Sequence, residues 1–278
     1  MTTIQVHCEL RFDVRAPSDF ALALMAANTR RQHAKQPRLA ITPDSQIDRT
    51  RFDPSGHDVV RVSVGPGPLT IVYDSLVEVQ PYMPPDPPTR EAPFVELPGD
   101  VLSFLHPSRY CQSDLLGRFA QQTFGGFGPG FDRVTGICNW IWEHLSYVPG
   151  STNASSTAID ALVGAAGVCR DYAHLGISFC RALGIPARYV SGYAVDLQPP
   201  DFHGFFEAFL DGEWYLFDAT RMVPIDGLVR IATGRDAADV AFAAIVGSAE
   251  LVTKDIVVID VDRTGPPDPS QTPALGTA

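Results

Sequence analysis

Three residues of this chain, Cys169, His203 and Asp218, have the types and the order of a nucleophile, a base and a group that orients the base. Held together, they could transfer an acyl group through a thioester. Cys169 lies in the run from Gly167 to Gly184, where Val168, Tyr172, Leu175, Phe179 and Leu183 recur at helical spacing and Gly184 and Pro186 stop the pattern. This predicts a glycine loop that delivers Cys169 to the first turn of a helix. Free N–H groups and the positive end of the helix dipole favour the thiolate there, the form a cysteine nucleophile needs.

The base and its orienter must come from a hairpin. His203 to Leu210 and Glu213 to Thr220 read as strands around an Asp211-Gly212 turn. If that turn has two residues, Leu210 faces Glu213. Counting outward sets His203 opposite Thr220 and Phe205 opposite Asp218, so His203 and Asp218 become diagonal neighbours on one face. Such neighbours lie roughly 7–8 Å apart at the backbone, within reach of an imidazole–carboxylate hydrogen bond. A register shift of one residue would destroy the relation.

Other candidates have plainer expectations. Cys8, Cys138 and Cys180 are read as buried small hydrophobes. His174 lies five residues past Cys169 and points to another helix face, so its role is structural. Asp171 falls in the first helical turn, where a carboxylate caps the helix. Cys169, His174 and His203 lack a fourth ligand at suitable spacing, so no zinc site is expected. Five cysteines without CxxC pairing argue for free thiols and a reducing compartment.

The 278 residues, 45% of them hydrophobic, suffice for one large domain or two modest ones. No apolar run spans a bilayer and the first residues lack a signal-peptide pattern, so the expectation is a soluble, cytoplasmic protein. A net charge of −11, with Lys35 and Lys254 the only lysines, excludes a nucleic acid partner and disfavours anionic membranes.

Residues 2–16 alternate as a half-buried strand, with Ile4, Val6, Cys8, Leu10, Phe12 and Val14 on one face. Phe20 to Ala27 could be a strand or a helical turn, and Arg38 to Thr42 is a short strand. Turns at Asp53–Gly56 and Gly65–Pro68 bound further strands through Val79. The expectation is an antiparallel β-sandwich over residues 1–80. Seven prolines between Pro81 and Pro98 mark a linker, set at 81–100. Helices are expected from Ser113 through Phe119 to near Gly125, and from Asp132 along the stripe Val134, Ile137, Ile141 and Leu145. Trp140 and Trp142 beside that stripe are read as packing residues. Thr157–Asp160 resembles a capping box, Ala187–Val195 a strand, Asp236–Val246 a helix, and Val257–Val261 a final strand. This gives a catalytic unit over 101–262 and a disordered tail over 263–278.

Three blocks carry a resemblance: Gly167–His174, Arg181–Tyr193 and His203–Thr220. They are similar to those of the bacterial transglutaminase-like superfamily, thiol enzymes of papain-like fold, across residues 115–225. The region in front resembles the β region that often precedes that domain. The resemblance implies an α+β fold with the nucleophile helix packed on an antiparallel sheet. It implies Cys169 as nucleophile, His203 as general base and acid, and Asp218 as the residue that fixes the imidazole tautomer. It also points to Tyr147 as a side-chain oxyanion donor beside the Cys169 N–H, a packing tyrosine being the plainer alternative. Relatives more often carry Ala-Trp-Val where this chain has Gly204-Phe205-Phe206, a departure that bears on substrate preference. The implied activity is hydrolysis of a peptide or protein amide without cofactor or metal. Transfer to a second amine is the alternative within the enzyme class. Nothing in the sequence marks an amine-acceptor site or a calcium loop, which favours hydrolysis. A non-catalytic binding module would be marked by loss of a triad member, and all three are present.

Overall fold

The computed structural model describes residues 1–52, 55–81, 86–87 and 90–263, with the backbone of 275–276. The fold is α+β, strand-rich and mostly antiparallel. Its front unit grows from the alternation at the start of the chain. β1 (Thr2–Val14) buries Ile4, Val6, Cys8, Leu10, Phe12 and Val14 and exposes the residues between. β2 (Ser18–Leu22) resolves the ambiguous Phe20 segment as strand, and the apolar residues after it stay buried outside any helix or strand. β3 (Gln32–Thr42), β4 (Ile47–Phe52), β5 (His57–Val64) and β6 (Gly67–Val79) complete the front half. The inner faces of both sheets share one apolar cluster, in which Phe12 and Phe20 meet edge to face at 5.2 Å. The turn expected at Asp53–Gly56 and the linker at 81–100 fall partly outside the described residues. In the described part of the linker a short 3₁₀ turn spans Phe94–Glu96.

Next come α1 (Ser113–Phe124), α2 (Phe131–His144), β7 (Ser146–Tyr147), α3 (Ala158–Gly164), β8 (Ala166–Gly167) and α4 (Cys169–Ala182). Trp140 stands edge-on to Phe119, Phe124 and Phe179, as a packing residue does. Trp142 is half exposed beneath the Arg221 guanidinium. The capping box forms at the start of α3, where Thr157 and Asp160 exchange hydrogen bonds. α4 is buried along most of its length between the other helices and a sheet. That sheet runs β12 (Leu228–Gly234), β9 (Ala187–Ala194), β10 (His203–Leu210), β11 (Glu213–Phe217) in spatial order. Among the described residues no helix is long and apolar enough to cross a membrane.

The last strands depart from the expectation. Asp236–Val246 is not a helix: Asp236 and Asp239 accept backbone N–H bonds in a turn, and β13 (Ala243–Val246) pairs with β2. The apolar run there is too short to favour a helix by itself, and the free edge of β2 decides its state. β14 (Ala249–Asp260) pairs with β1 across nearly its whole length. Residues 243–260, expected in the catalytic unit, therefore complete both front sheets. Most of the tail from 264 lies outside the described residues, but β15 (Leu275–Gly276) adds a short strand to β11.

Candidate active site

Local chemistry explains how Cys169 reaches its position. The Asp171 carboxylate folds back to accept the Val168 N–H at 2.9 Å and the Thr152 hydroxyl at 2.5 Å, as the capping role expected of it requires. Gly167 makes room for that side chain, since a Cβ at 167 would lie 2.7 Å from the Asp171 Cβ. Arg170 pairs with the same carboxylate and donates to the Asn153 carbonyl, tying the 151–156 loop to the helix start. Cys169 is the one partly exposed cysteine of the five. Burial pushes the thiols of Cys8 and Cys111 up to about 12, and those of Cys138 and Cys180 up as well, so these four stay protonated.

The hairpin supplies the second wall. Its pairing runs from Leu210–Glu213 to Phe206–Phe217, the register read from the two-residue turn. Asp211 and Gly212 both take the positive φ such a turn needs, at 49° and 84°. The ladder stops at Phe217, and just beyond it the His203 Nε2–H donates to Asp218 Oδ2 at 2.7 Å. The other oxygen of Asp218 accepts from the Thr220 N–H at 2.9 Å and the Thr220 hydroxyl at 2.8 Å. Thr220 was not singled out in the sequence, although an Asp followed two residues later by Thr is a turn pattern that provides such bonds. With Nε2 committed to Asp218, the buried Nδ1 of His203 is left to face the Cys169 thiol.

Burial alone would lower the His203 pKa. The charge and hydrogen bond of Asp218, with Cys169 alongside, instead carry it up to about 10. A histidine raised this way adds stability that is whole below its unfolded pKa of about 6.5 and lost as pH rises through the folded value. The stability difference between wild type and Asp218→Asn is therefore expected to be largest near pH 6 and to shrink toward about pH 10. Urea unfolding at several pH values checks this.

Tyr147 arrives by a separate route. β7 and β8 form a two-residue parallel pair that sets Tyr147 beside Gly167, two residues before the nucleophile. Its hydroxyl lies near Cys169. Partial burial, then the nearby Cys169, push its phenol up, so it remains an O–H donor. His174 is fully buried between Tyr110 and Tyr189. Its Nε2 accepts the Ala237 N–H at 3.1 Å. Burial holds it neutral, down to about 3, which fits a structural role. Among the described residues no cluster of His, Cys, Asp and Glu has the arrangement of a metal site.

The arrangement thus has a thiol at a helix N-terminus, an imidazole with one nitrogen facing it, a carboxylate behind the other nitrogen, and a phenol beside the first N–H of the helix. Comparison with known proteins bears on the fold that carries it. Residues 117–219 match the family described as the transglutaminase-like superfamily. A crystal structure described as "a putative cysteine protease" from Cytophaga hutchinsonii is 39% identical and superposes with a TM-score of 0.92, covering 100% of this chain and 98% of that one. An uncharacterized protein of Mycobacterium leprae is 34% identical over 142 residues, 47% of this chain and 50% of that protein. Another from Mycobacterium tuberculosis H37Rv is 30% identical over 192 residues, 64% of this chain and 60% of that protein. The chain thus spans half to three fifths of the length of these mycobacterial relatives.

Proposed function

Since the chain belongs to the transglutaminase-like superfamily, we propose that Cys169, His203 and Asp218 carry out thiol-dependent hydrolysis of a peptide or other amide bond. The observation that carries this reading is His203, whose Nε2 is committed to Asp218 while its Nδ1 is left to the Cys169 thiol. The likeness to the Cytophaga hutchinsonii protein, described as a putative cysteine protease, supports the same reading.

The steps follow from the groups in place. Nδ1 of His203 takes the thiol proton, and the sulfur attacks the amide carbonyl carbon. The developing oxyanion draws the Cys169 N–H and the Tyr147 O–H. The tetrahedral intermediate collapses, the C–N bond breaks, and the amine leaves with the proton from His203. Water then gives a proton to the same nitrogen and attacks the thioester, releasing a carboxylic acid and the free thiol. Throughout, Asp218 holds the ring with Nδ1 toward sulfur and stabilises its charge, and Thr220 holds Asp218.

A peptide library incubated with the protein and read by mass spectrometry tests the reading. Cleaved products are expected with wild type and absent with Cys169→Ala. Transfer of an added amine onto glutamine side chains without cleavage would replace hydrolysis by transamidation. On a cleaved peptide, Tyr147→Phe is expected to lower kcat by about 10²–10³-fold with KM nearly unchanged, the loss typical of one oxyanion donor. A tyrosine that only packs would leave kcat within a few-fold.

A further inference from the structure

The segment that holds the orienting carboxylate ends in an arginine. Asp218 pairs with His203, Thr220 gives its N–H and hydroxyl to the same carboxylate, and Arg221 follows. Three residues of chain span at most roughly 11 Å, so the Arg221 backbone stays within that distance of Asp218. Cys138 on α2 lies close enough to Asp218 and Arg221 to feel both charges. One turn further along α2, Trp142 carries the Arg221 guanidinium 4.6 Å from its ring centre. That end of α2 meets the start of α4: the Leu145 carbonyl accepts the Tyr172 hydroxyl at 2.7 Å. Arg221 and Trp142 therefore flank the end of α4 that carries the thiol.

Arg221 is held there at a cost. Its φ is 55°, in the left-handed region that glycine enters freely and an arginine does not. Strain of this kind collects at functional sites. Two neutral contacts fix the side chain: the Asn139 Oδ1 accepts from the guanidinium, and the half-exposed Trp142 supports its face. Stacking on an indole leaves the in-plane N–H donors open, in the fork that matches a carboxylate. Other charges near the site are balanced within the chain, Arg170 by Asp171 and Asp201, which lies near Tyr147, by Lys254. The chain has a net charge of −11, yet among the described residues no carboxylate comes within ion-pair distance of Arg221. Glu143, next to Trp142, is exposed and screened by water.

In the proposed hydrolysis, on which this inference rests, His203 returns its proton to the departing amine. The amine half of the substrate then lies beside the imidazole and the Asp218–Arg221 segment, while the carbonyl oxygen turns to the Cys169 N–H and Tyr147. We infer that Arg221 is a specificity residue, binding a carboxylate on the residue at the amine side of the scissile bond, with the stem of that residue against Trp142. The carboxylate is either the C-terminal one of a single departing residue or the side chain of an aspartate or glutamate.

Alkylation of Cys169 in the full chain, quantified by peptide mass spectrometry, tests this without turnover, so the inference and the hydrolytic reading can fail separately. N-iodoacetyl-glycine places a carboxylate where the departing residue would carry it, and N-iodoacetyl-glycinamide is its neutral match. At low ionic strength Arg221→Gln is expected to lower the ratio of the charged to the neutral rate by about fivefold, the most that an exposed charge pair usually supplies. Arg221→Lys keeps the charge and is expected to give a ratio between those of wild type and Arg221→Gln. A thermal melt verifies folding of both variants. The α-amide of N-iodoacetyl-aspartic acid, set against its asparagine counterpart, separates the sources. A larger Arg221-dependent ratio for the glycine pair identifies a C-terminal carboxylate, and a larger one for the aspartate pair identifies an acidic side chain. Charged-to-neutral ratios that are the same in wild type and Arg221→Gln for both probe pairs would overturn the proposal.

Discussion

Replacing His203 with Ala is expected to reduce amide hydrolysis by about 10⁴-fold or more while leaving the fold intact. The imidazole has two tasks that no neighbour can assume. It accepts the thiol proton, and it returns that proton to a poor leaving group. His174, the nearest alternative in sequence, is sealed between Tyr110 and Tyr189 with Nε2 occupied by the Ala237 N–H, so it cannot substitute. The double variant Cys169→Ala with His203→Ala is expected to be no worse than either single one, because residues that act as a unit are not additive. Turnover of the cleaved peptide, with circular dichroism to confirm folding, reads both effects.

Glu207→Gln is expected to destabilise the protein by about 3–5 kcal/mol, the usual loss when one partner of a buried ion pair is removed. Its cause lies in the sheet interior. Arg230 is buried, Arg188 is mostly so, and the two share the Glu207 carboxylate. An amide of the same shape leaves two cations facing each other in a medium that solvates them poorly. For a chain of this size the melting temperature should fall by roughly 10 °C. Replacing all three residues by apolar ones of similar volume should recover most of the loss, because the cost comes from the unpaired charges and little from the packing. Differential scanning calorimetry of the single and triple variants checks both statements.

How much of this was legible in the sequence depends on how far apart the deciding residues lie. The β1 face, α2, α4 and the capping box at Thr157 are set by contacts within a few residues, and they appear where periodicity puts them. The His203–Asp218 contact was legible for the same reason, since a two-residue turn fixes every pairing of its hairpin. The return of β13 and β14 to the front sheets was not. It joins residues more than 200 positions apart, and nothing in Ala243–Val246 names β2 as its neighbour. Thr220 escaped notice because its value lies in two bonds to a carboxylate whose own role comes from another strand. Tyr147 was placed through the family resemblance, because a parallel pair as short as β7–β8 leaves no periodic trace. The Arg188–Glu207–Arg230 cluster was hidden too. A charged residue on a strand reads as solvent-facing unless both faces of the sheet are known to be covered.

The claim on which the rest depends is that His203 is the base that activates Cys169. Iodoacetamide labelling at neutral pH, with each cysteine quantified by peptide mass spectrometry, tests it directly. In wild type Cys169 is expected to be labelled while the four buried cysteines stay unlabelled. In His203→Ala the Cys169 rate is expected to fall by about tenfold or more, since the thiol loses the base beside it. Equal Cys169 rates in the two proteins would contradict the account.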